Sequence, residues 1–314
     1  MLQYIIILLD DTSVSYCHYE NPMREHKLID LDVLKRGIVF AMKENLNIQF
    51  VYPDYELPQE YNEAIESIDH TKIKPQEKSE EADVVVLTKW KKDEVEVAKG
   101  VAYIVRADRK ELKEGMPIVK ALLGKVSRLN IVETDVMDFR DEEIDEYKNF
   151  MEELNVCLAE NYQQGKSVQL NLLTDRMLLS QMNNCGAGDT TITLAPNGKF
   201  YLCPAFYYDT PSDDMGDLEV GLKIKNQQLL RLDHAPICRH CDAYQCKRCV
   251  WMNQKLTLDL NTPSHQQCVV AHVERNASRH LQKLLNEKDI RLSNNQEIKE
   301  INSLDPFNNY KQWK

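Results

Sequence analysis

The sequence predicts an α/β protein: a partial (β/α) barrel or open parallel sheet, followed by a small, loop-rich, cysteine-rich domain. Three observations carry this. Strand-like and helix-like stretches alternate through the first half. The chain changes character near Cys185, where turns replace long periodic segments. Seven of the nine cysteines then fall between positions 185 and 268.

Tyr4 to Leu9 is a continuous apolar run, the pattern of a strand buried on both faces. Residues 31–45 place Leu34, Ile38, Ala41 and Met42 on one helical face. Ile48 to Tyr52 reads as a second strand stopped by Pro53, Ala82 to Leu87 as a third, Val101 to Val105 as a fourth and Arg128 to Val132 as a fifth. Residues 141–163 form the strongest helix. Ile144, Tyr147, Phe150, Met151 and Leu154 share a face, and Asp141, Glu142 and Glu143 complement the dipole at its start. Alternation of this kind argues for a largely parallel sheet, with too few strands for a complete eight-stranded barrel.

Beyond Cys185, two strand-like runs (190–194 and 199–202) flank Asn197-Gly198, a strong hairpin signal. Residues 270–287 are helix-like. A polar tail carries Phe307, Tyr310 and Trp313, aromatic residues suited to docking on a partner. The domains expected are 1–170, an α/β domain; 171–290, the cysteine-rich domain; and 291–314, the tail.

Composition narrows the function. The 314 residues are 43% hydrophobic, enough for a packed core, and carry 50 acidic against 39 basic residues for a net charge of −11. Nucleic-acid binding by general charge is not expected, and the short basic run Lys89-Trp90-Lys91-Lys92 reads as a solvated turn. No stretch approaches a membrane span, and the short apolar run at the N-terminus lacks the flanks of a secretion signal. A cytoplasmic protein is expected, where thiols stay reduced and clustered cysteines favour metal over disulfides.

The cysteine spacing is Cys185-x12-Gly198-x4-Cys203, then Cys238-x2-Cys241-x4-Cys246-x2-Cys249, then Cys268. A zinc ribbon separates its two pairs by ~15–20 residues, so a gap of four does not suit that layout. The run is closer to the compact ferredoxin arrangement, where three close cysteines hold one 4Fe–4S cluster and a fourth reaches another. Carried over, that arrangement assigns Cys238, Cys241, Cys246 and Cys268 to one cluster. Cys249 joins Cys185 and Cys203 at a second, whose fourth position is open or filled by Asp189, His240 or a substrate thiolate. Zinc is the alternative metal.

This pattern resembles the SPASM domain, which holds auxiliary iron–sulfur clusters in radical-SAM enzymes that modify ribosomal peptides. The usual run has five and three residues where this chain has four and two. Asn197 to Pro204 and Gly216-Asp217-Leu218 share the resemblance. The first half resembles a shortened radical-SAM barrel, but the loop after its first strand, Asp10 to Tyr19, offers one cysteine, Cys17, where C-x3-C-x2-C is usual. A barrel remnant without that motif, fused to a SPASM-like module, resembles the CXXX-repeat peptide maturase family. The resemblance implies two 4Fe–4S clusters, no S-adenosylmethionine site of its own, a separate radical-SAM enzyme as partner, and a cysteine-rich precursor peptide as substrate.

Cys17 and His18 lie where a parallel sheet's C-terminal edge places ligands, and read as a buried cysteine beside a surface histidine. Cys157 sits near the apolar face of its helix and reads as packing. Tyr207-Tyr208 reads as core, with a peptide groove as the other option. His234, His240 and His272 lie near the cysteines, and His240 is flanked by two of them. A zinc-stabilised peptide- or protein-binding scaffold is the alternative function; an enzyme using Cys17 as nucleophile is a third.

Overall fold

The computed structural model describes residues 2–88, 90, 95–292 and 295–298. In chain order the strands are β1 (Tyr4–Leu8), β2 (Asn47–Val51), β3 (His70–Pro75), β4 (Val84–Leu87), β5 (Ala102–Ala107), β6 (Arg128–Glu133), β7 (Gln169–Leu170), β8 (Thr191–Leu194), β9 (Phe200–Tyr201), β10 (Gly216–Asp217) and β11 (Gly221–Leu222). The helices are α1 (Leu31–Lys43), α2 (Gln59–Glu66), α3 (Arg109–Glu114), α4 (Met116–Leu123), α5 (Ile144–Gln163), α6 (Thr174–Leu178), α7 (Pro204–Asp209), α8 (Val250–Thr257) and α9 (His265–Glu287). The α/β class and the mainly parallel pairing are as the sequence predicts. The docking expected of Phe307, Tyr310 and Trp313 lies outside the described residues.

Packing divides the chain into two units, each drawn from two stretches: Met1–Thr88 with Cys185–Arg231, and Lys89–Asn184 with Leu232–Lys314. The sequence boundary at 170 marks a change of motif content; the packing units are drawn otherwise.

In the first unit the strand order is β4-β3-β2-β1-β8-β9. All these pairs are parallel except the β8–β9 hairpin. Ile5, Ile7 and Leu9 alternate onto one face and pack with Leu34, Ile38 and Ala41 of α1, Phe50 of β2, and Ile192, Leu194 and Phe200 from the hairpin. Asp30 caps α1 by accepting from the amides of Asp32 and Val33. Met42, expected on the buried face of α1, is 61% exposed. The buried stripe is Leu34, Gly37, Ile38 and Ala41, and at 100° per residue Met42 has turned off it. In the hairpin Gly198 takes φ of +77°, which the tight turn requires and an L side chain resists.

Strand β3 escaped the pattern because its sequence, His-Thr-Lys-Ile-Lys-Pro, has little apolar content. Lys72 is nonetheless buried, and it holds Glu66 at 2.5 Å and Glu81 at 3.5 Å. The charged end is paired while its stem covers apolar surface. Strand β7 is too short to leave a periodic signal.

In the second unit β5, β6 and β7 form parallel pairs. Helix α5 packs on α9, and all five residues of its predicted face are buried. Helix α9 starts at His265, earlier than the apolar pattern indicates, because Ser264 and Gln267 form a capping box. Trp90 is 3% exposed, and the solvated turn expected of Lys89, Lys91 and Lys92 lies outside the described residues. The Trp90 ring lies over Gly115, where a Cβ would meet it at 2.3 Å. Among the described residues no helix is long and apolar enough to cross a membrane.

Candidate metal centres

All nine cysteines are thiols, and Cys238, Cys241 and Cys246 pack in one cluster. In the first unit a loop follows the C-terminal edge of β1. Asp10 is fully buried and organises the loop that follows. Its Oδ1 accepts from the amide of Thr12 at 2.8 Å and from the Thr12 hydroxyl at 2.6 Å, and its Oδ2 accepts from Tyr55 at 2.8 Å. Ser13 donates to the Val51 carbonyl at 2.8 Å, and Asn21 donates to the carbonyls of Asp11 and Ser13. An aspartate, a threonine and a serine together fix the loop without regular secondary structure.

That loop is fastened to α7. Tyr207 donates to an Asp11 carboxylate oxygen, and Tyr19 stacks on Tyr208 with centroids 5.6 Å apart and planes 21° from parallel. Tyr16 meets Tyr19 edge-on at 6.0 Å. Cys203 is the N-cap of α7, with Pro204 in the first turn. Cys185 lies shortly before β8, and its carbonyl accepts from the Thr191 hydroxyl at 2.7 Å. Cys17 follows β1, Cys185 precedes β8, and Cys203 follows β9, which runs back antiparallel to β8.

These thiols interact electrostatically. Burial, and then the neighbouring thiols of Cys185 and Cys17, push the Cys203 thiol well up, while the amides of Ala205 and Phe206 act in the opposite sense. Tyr16 is raised by burial, then by Cys17, Cys203, Cys185 and Tyr208. Charge on any one of these thiols therefore disfavours charge on the others. A cationic centre that binds thiolate removes that conflict, so this donor set fits a metal or cluster. The Tyr208 hydroxyl is buried without a hydrogen-bond partner.

Cys17 is half-buried and His18 is buried, the reverse of the sequence expectation. Tyr207 and Tyr208 are both buried, as core residues should be. Asp189 is half-buried in the turn after Gly186, whose carbonyl accepts from its amide at 2.9 Å.

In the second unit Cys238, Cys241 and Cys246 gather around Ala235 and Met182, with Leu232 and Tyr244 packed against them. Burial pushes the Cys238 thiol up to about 11, with the Arg248 guanidinium opposing. Cys241 is raised by burial and opposed by Arg275 and Arg176. Cys246 is raised by burial, then by Cys238, Cys241 and Glu274. Cationic side chains thus face a group of thiols, an arrangement that favours thiolates and the net negative charge of a thiolate-bound cluster. Asp242 holds two of those cations, accepting from Arg275 at 2.8 Å and Arg176 at 3.2 Å. Arg176 also lies 4.4 Å over the Tyr244 ring. Beside Cys246, the buried amide of Gln245 has no hydrogen-bond partner at either end.

His272 is the histidine that reaches a thiol: its Nε2 lies 3.4 Å from Cys241 Sγ. Burial, then the charge of Arg275, lower its pKa to about 4, so the ring is neutral near pH 7. The sequence signal was present, because Cys268 and His272 stand four apart on α9 and share a face. His240 and His234 are exposed. Cys268 lies in the first turn of α9, its amide donating to the Ser264 carbonyl, and Cys249 is the N-cap of α8. Cys157 is buried within α5, and the Asn161 amide donates to its carbonyl at 2.9 Å, as packing requires.

Among the described residues no three His, Cys, Asp or Glu side chains close to the spacing of a single ion. Four thiolates on one zinc stand about 3.8 Å apart, the edge of a tetrahedron with 2.3 Å arms. A polynuclear cluster is wider and holds its cysteines further apart.

No protein-family model matches the chain, and no curated protein matches it. Among solved structures the chain is similar to Streptococcus suis SuiB bound to the precursor peptide SuiA, with 11% identity and a TM-score of 0.44. That match covers 73% of this chain and 64% of SuiB, so the chain spans less than two thirds of that protein's length.

Proposed function

We propose that this chain is an iron–sulfur protein that serves as an accessory subunit in peptide maturation. A separate radical-SAM enzyme would supply the radical, and a cysteine-rich precursor peptide would be the substrate. The observation that carries the reading is the packing of Cys238, Cys241 and Cys246 in one cluster of the second unit, opposed by Arg176, Arg248 and Arg275. Cys238, Cys241 and Cys246, with Cys268, would hold one 4Fe–4S cluster. Cys185 and Cys203 of the first unit are thiols proposed for the other. Bound clusters would supply an electron-transfer centre or an iron open to a substrate thiolate. This chain's own residues would hold them, and in the second unit the arginines balance thiolate charge.

The partner enzyme enters because the loop after β1 carries one cysteine where reductive cleavage of S-adenosylmethionine needs three. Anaerobic reconstitution of the full chain tests the metal. Roughly seven to eight irons per chain, with matching sulfide, are expected for two 4Fe–4S clusters. Cleavage of S-adenosylmethionine by the isolated chain would overturn the accessory role.

One observation favours a second reading, a zinc-stabilised scaffold that binds a peptide or protein. The contact of His272 with Cys241 forms a mixed Cys/His pair, a donor combination common in structural zinc sites. Near-stoichiometric zinc after expression in zinc-supplemented medium, with no iron taken up on reconstitution, is the outcome that selects it.

A further inference from the structure

We propose that Lys74 is the reactive amine of a ligand site in the first unit, where a neutral aldehyde or ketone condenses with it to form an imine. The site lies wholly within that unit, no cysteine lines it, and it is independent of any metal.

The strand register sets its place. Leu8 of β1 stands opposite Val51 of β2, and Val51 stands opposite Ile73 of β3. The three parallel strands therefore end at one edge, where sheets of this kind bind ligands. Just past that register the Tyr52 amide donates to the Ile73 carbonyl at 3.0 Å, which sets Tyr52 beside Lys74. Lys72 and Lys74 stand two apart on β3 and share a face of the sheet. Both line a cavity of about 500 Å³. Tyr52, Tyr55 and Leu57 give it an aromatic and apolar wall, and Asn62 and Glu66 line it from α2.

Three lysines face this cavity, and two are held by carboxylates. Lys72 holds Glu66 at 2.5 Å and Glu81 at 3.5 Å, and Lys78 holds Glu56 at 2.8 Å. Lys74, half-buried, makes no ion pair among the described residues. It donates instead to the Glu80 carbonyl at 2.7 Å, and its Nζ lies 4.9 Å over the Tyr52 ring. Burial, then the charge of Lys72, lower the pKa of Lys74, while Glu81, Glu56 and Glu80 oppose. A partly desolvated amine beside a second cation is the arrangement that makes lysine a nucleophile toward carbonyl carbon.

The lining also selects the charge of the ligand. Glu56, Glu66, Glu80 and Glu81 stand against three lysines, so an anion meets surplus negative charge and a neutral carbonyl compound does not. In the reaction the Lys74 nitrogen adds to the carbonyl carbon, the carbonyl oxygen leaves as water, and C=N replaces C=O. Protons exchange with solvent, and no oxidant or reductant is required.

The test incubates the full chain near pH 7 with benzaldehyde and sodium cyanoborohydride, which reduces each imine to a stable benzylamine. Peptide mass spectrometry follows the labelling of every lysine. Lys35 and Lys283, both exposed, are the controls. Lys74 is expected to be labelled severalfold faster than either control, at a rate that saturates with benzaldehyde concentration while theirs rise linearly. Lys72→Met removes the neighbouring positive charge and is expected to slow labelling at Lys74 severalfold, with an unchanged far-UV circular dichroism spectrum. Labelling of wild-type Lys74 that is no faster than the controls and does not saturate overturns the proposal, and this reading needs no variant to fold. An unchanged rate in folded Lys72→Met overturns it too. Benzoate has the shape of the probe and a negative charge, and is expected to protect Lys74 poorly; full protection marks an anion site and overturns the assignment.

Discussion

Two buried glutamates in the second unit make a quantitative prediction about pH. Glu133 ends β6 and Glu274 lies on α9; they are 3% and 4% exposed, and both accept from the hydroxyl of Tyr147 on α5. Burial first, and then the charge of Glu274, push Glu133 from 4.5 up to about 8, while the Tyr147 hydrogen bond and Lys247 oppose and Asp135 adds to the rise. Glu274 is likewise raised, chiefly by burial. The folded protein thus holds a proton at Glu133 that the unfolded chain releases near pH 4.5. Stability is greatest below that value, falls as pH climbs, and levels off above about 8. Each pH unit in that window is worth about 1.4 kcal/mol, so the loss at Glu133 reaches on the order of 3 kcal/mol by pH 7. Glu133→Gln mimics the protonated acid: its Oε1 can still accept from Tyr147, and it does not titrate. Urea unfolding followed by far-UV circular dichroism at pH 5, 6, 7 and 8 measures the effect. The variant is expected to match wild type near pH 5 and to exceed it by a few kcal/mol near pH 8, with a residual slope from Glu274. A wild-type slope in the variant, or equal destabilisation at every pH, refutes the argument.

Other perturbations have equally direct readouts. Asp242→Ala leaves Arg176 and Arg275 buried without their carboxylate; stability should drop by about 3–5 kcal/mol in urea titration, and the iron content of the second unit should fall with it. Tyr207→Phe removes the hydroxyl that ties α7 to Asp11, at a cost of about 1.5–3 kcal/mol for a bond to a charged group. In Gly188→Ala the backbone is at φ +77° and the new Cβ would come within 2.5 Å of Leu230 and 2.7 Å of Leu202, so the thermal midpoint should fall by the equivalent of roughly 1–3 kcal/mol. Ser264→Ala opens the capping box of α9 and should cost about 1 kcal/mol by the same measurement.

The elements that the sequence pattern located are those whose burial is periodic. Strands β1, β2, β4, β5 and β6, helices α1 and α5, and the Asn197-Gly198 hairpin each carry their own signal of alternation, stripe or turn. Strand β3 is buried through ion pairs, and a pattern of apolar residues cannot show it. Met42 and Trp90 went the other way. A helix-facing residue one step off the stripe is exposed, and an aromatic within a charged run is covered by packing over Gly115. His272 was legible only through its spacing from Cys268, and His240, set between two cysteines, points to how sequence neighbourhood misleads: it is exposed while His272 is buried against Cys241.

The position of Cys17 is a consequence of topology, and spacing rules do not encode topology. A metal motif is recognised when its ligands lie on one short stretch, because local geometry then fixes their separation. Cys238, Cys241 and Cys246 are of that kind. Cys17 stands outside that run, on the loop after β1. Strand β8 enters the first unit's sheet beside β1 and in the same direction, with Ile5 opposite Ile192 and Ile7 opposite Leu194. The loop leaving β1 and the Asn197-Gly198 turn leaving β8 emerge at one edge, whereas Cys185 precedes β8 and Cys203 follows the returning β9. The antiparallel β9 returns the chain, and α7 then brings Tyr207 onto Asp11 and Tyr208 onto Tyr19. The Tyr207–Asp11 hydrogen bond and the Tyr19–Tyr208 stack together tie the loop after β1 to α7. Tyr208→Leu, which keeps bulk but loses the stack and the hydroxyl, should therefore weaken iron binding in the first unit while Tyr4 and the strands beneath remain folded. Iron and sulfide counts after anaerobic reconstitution read this out. Unaltered iron in Tyr208→Leu would refute that role for the Tyr19–Tyr208 stack.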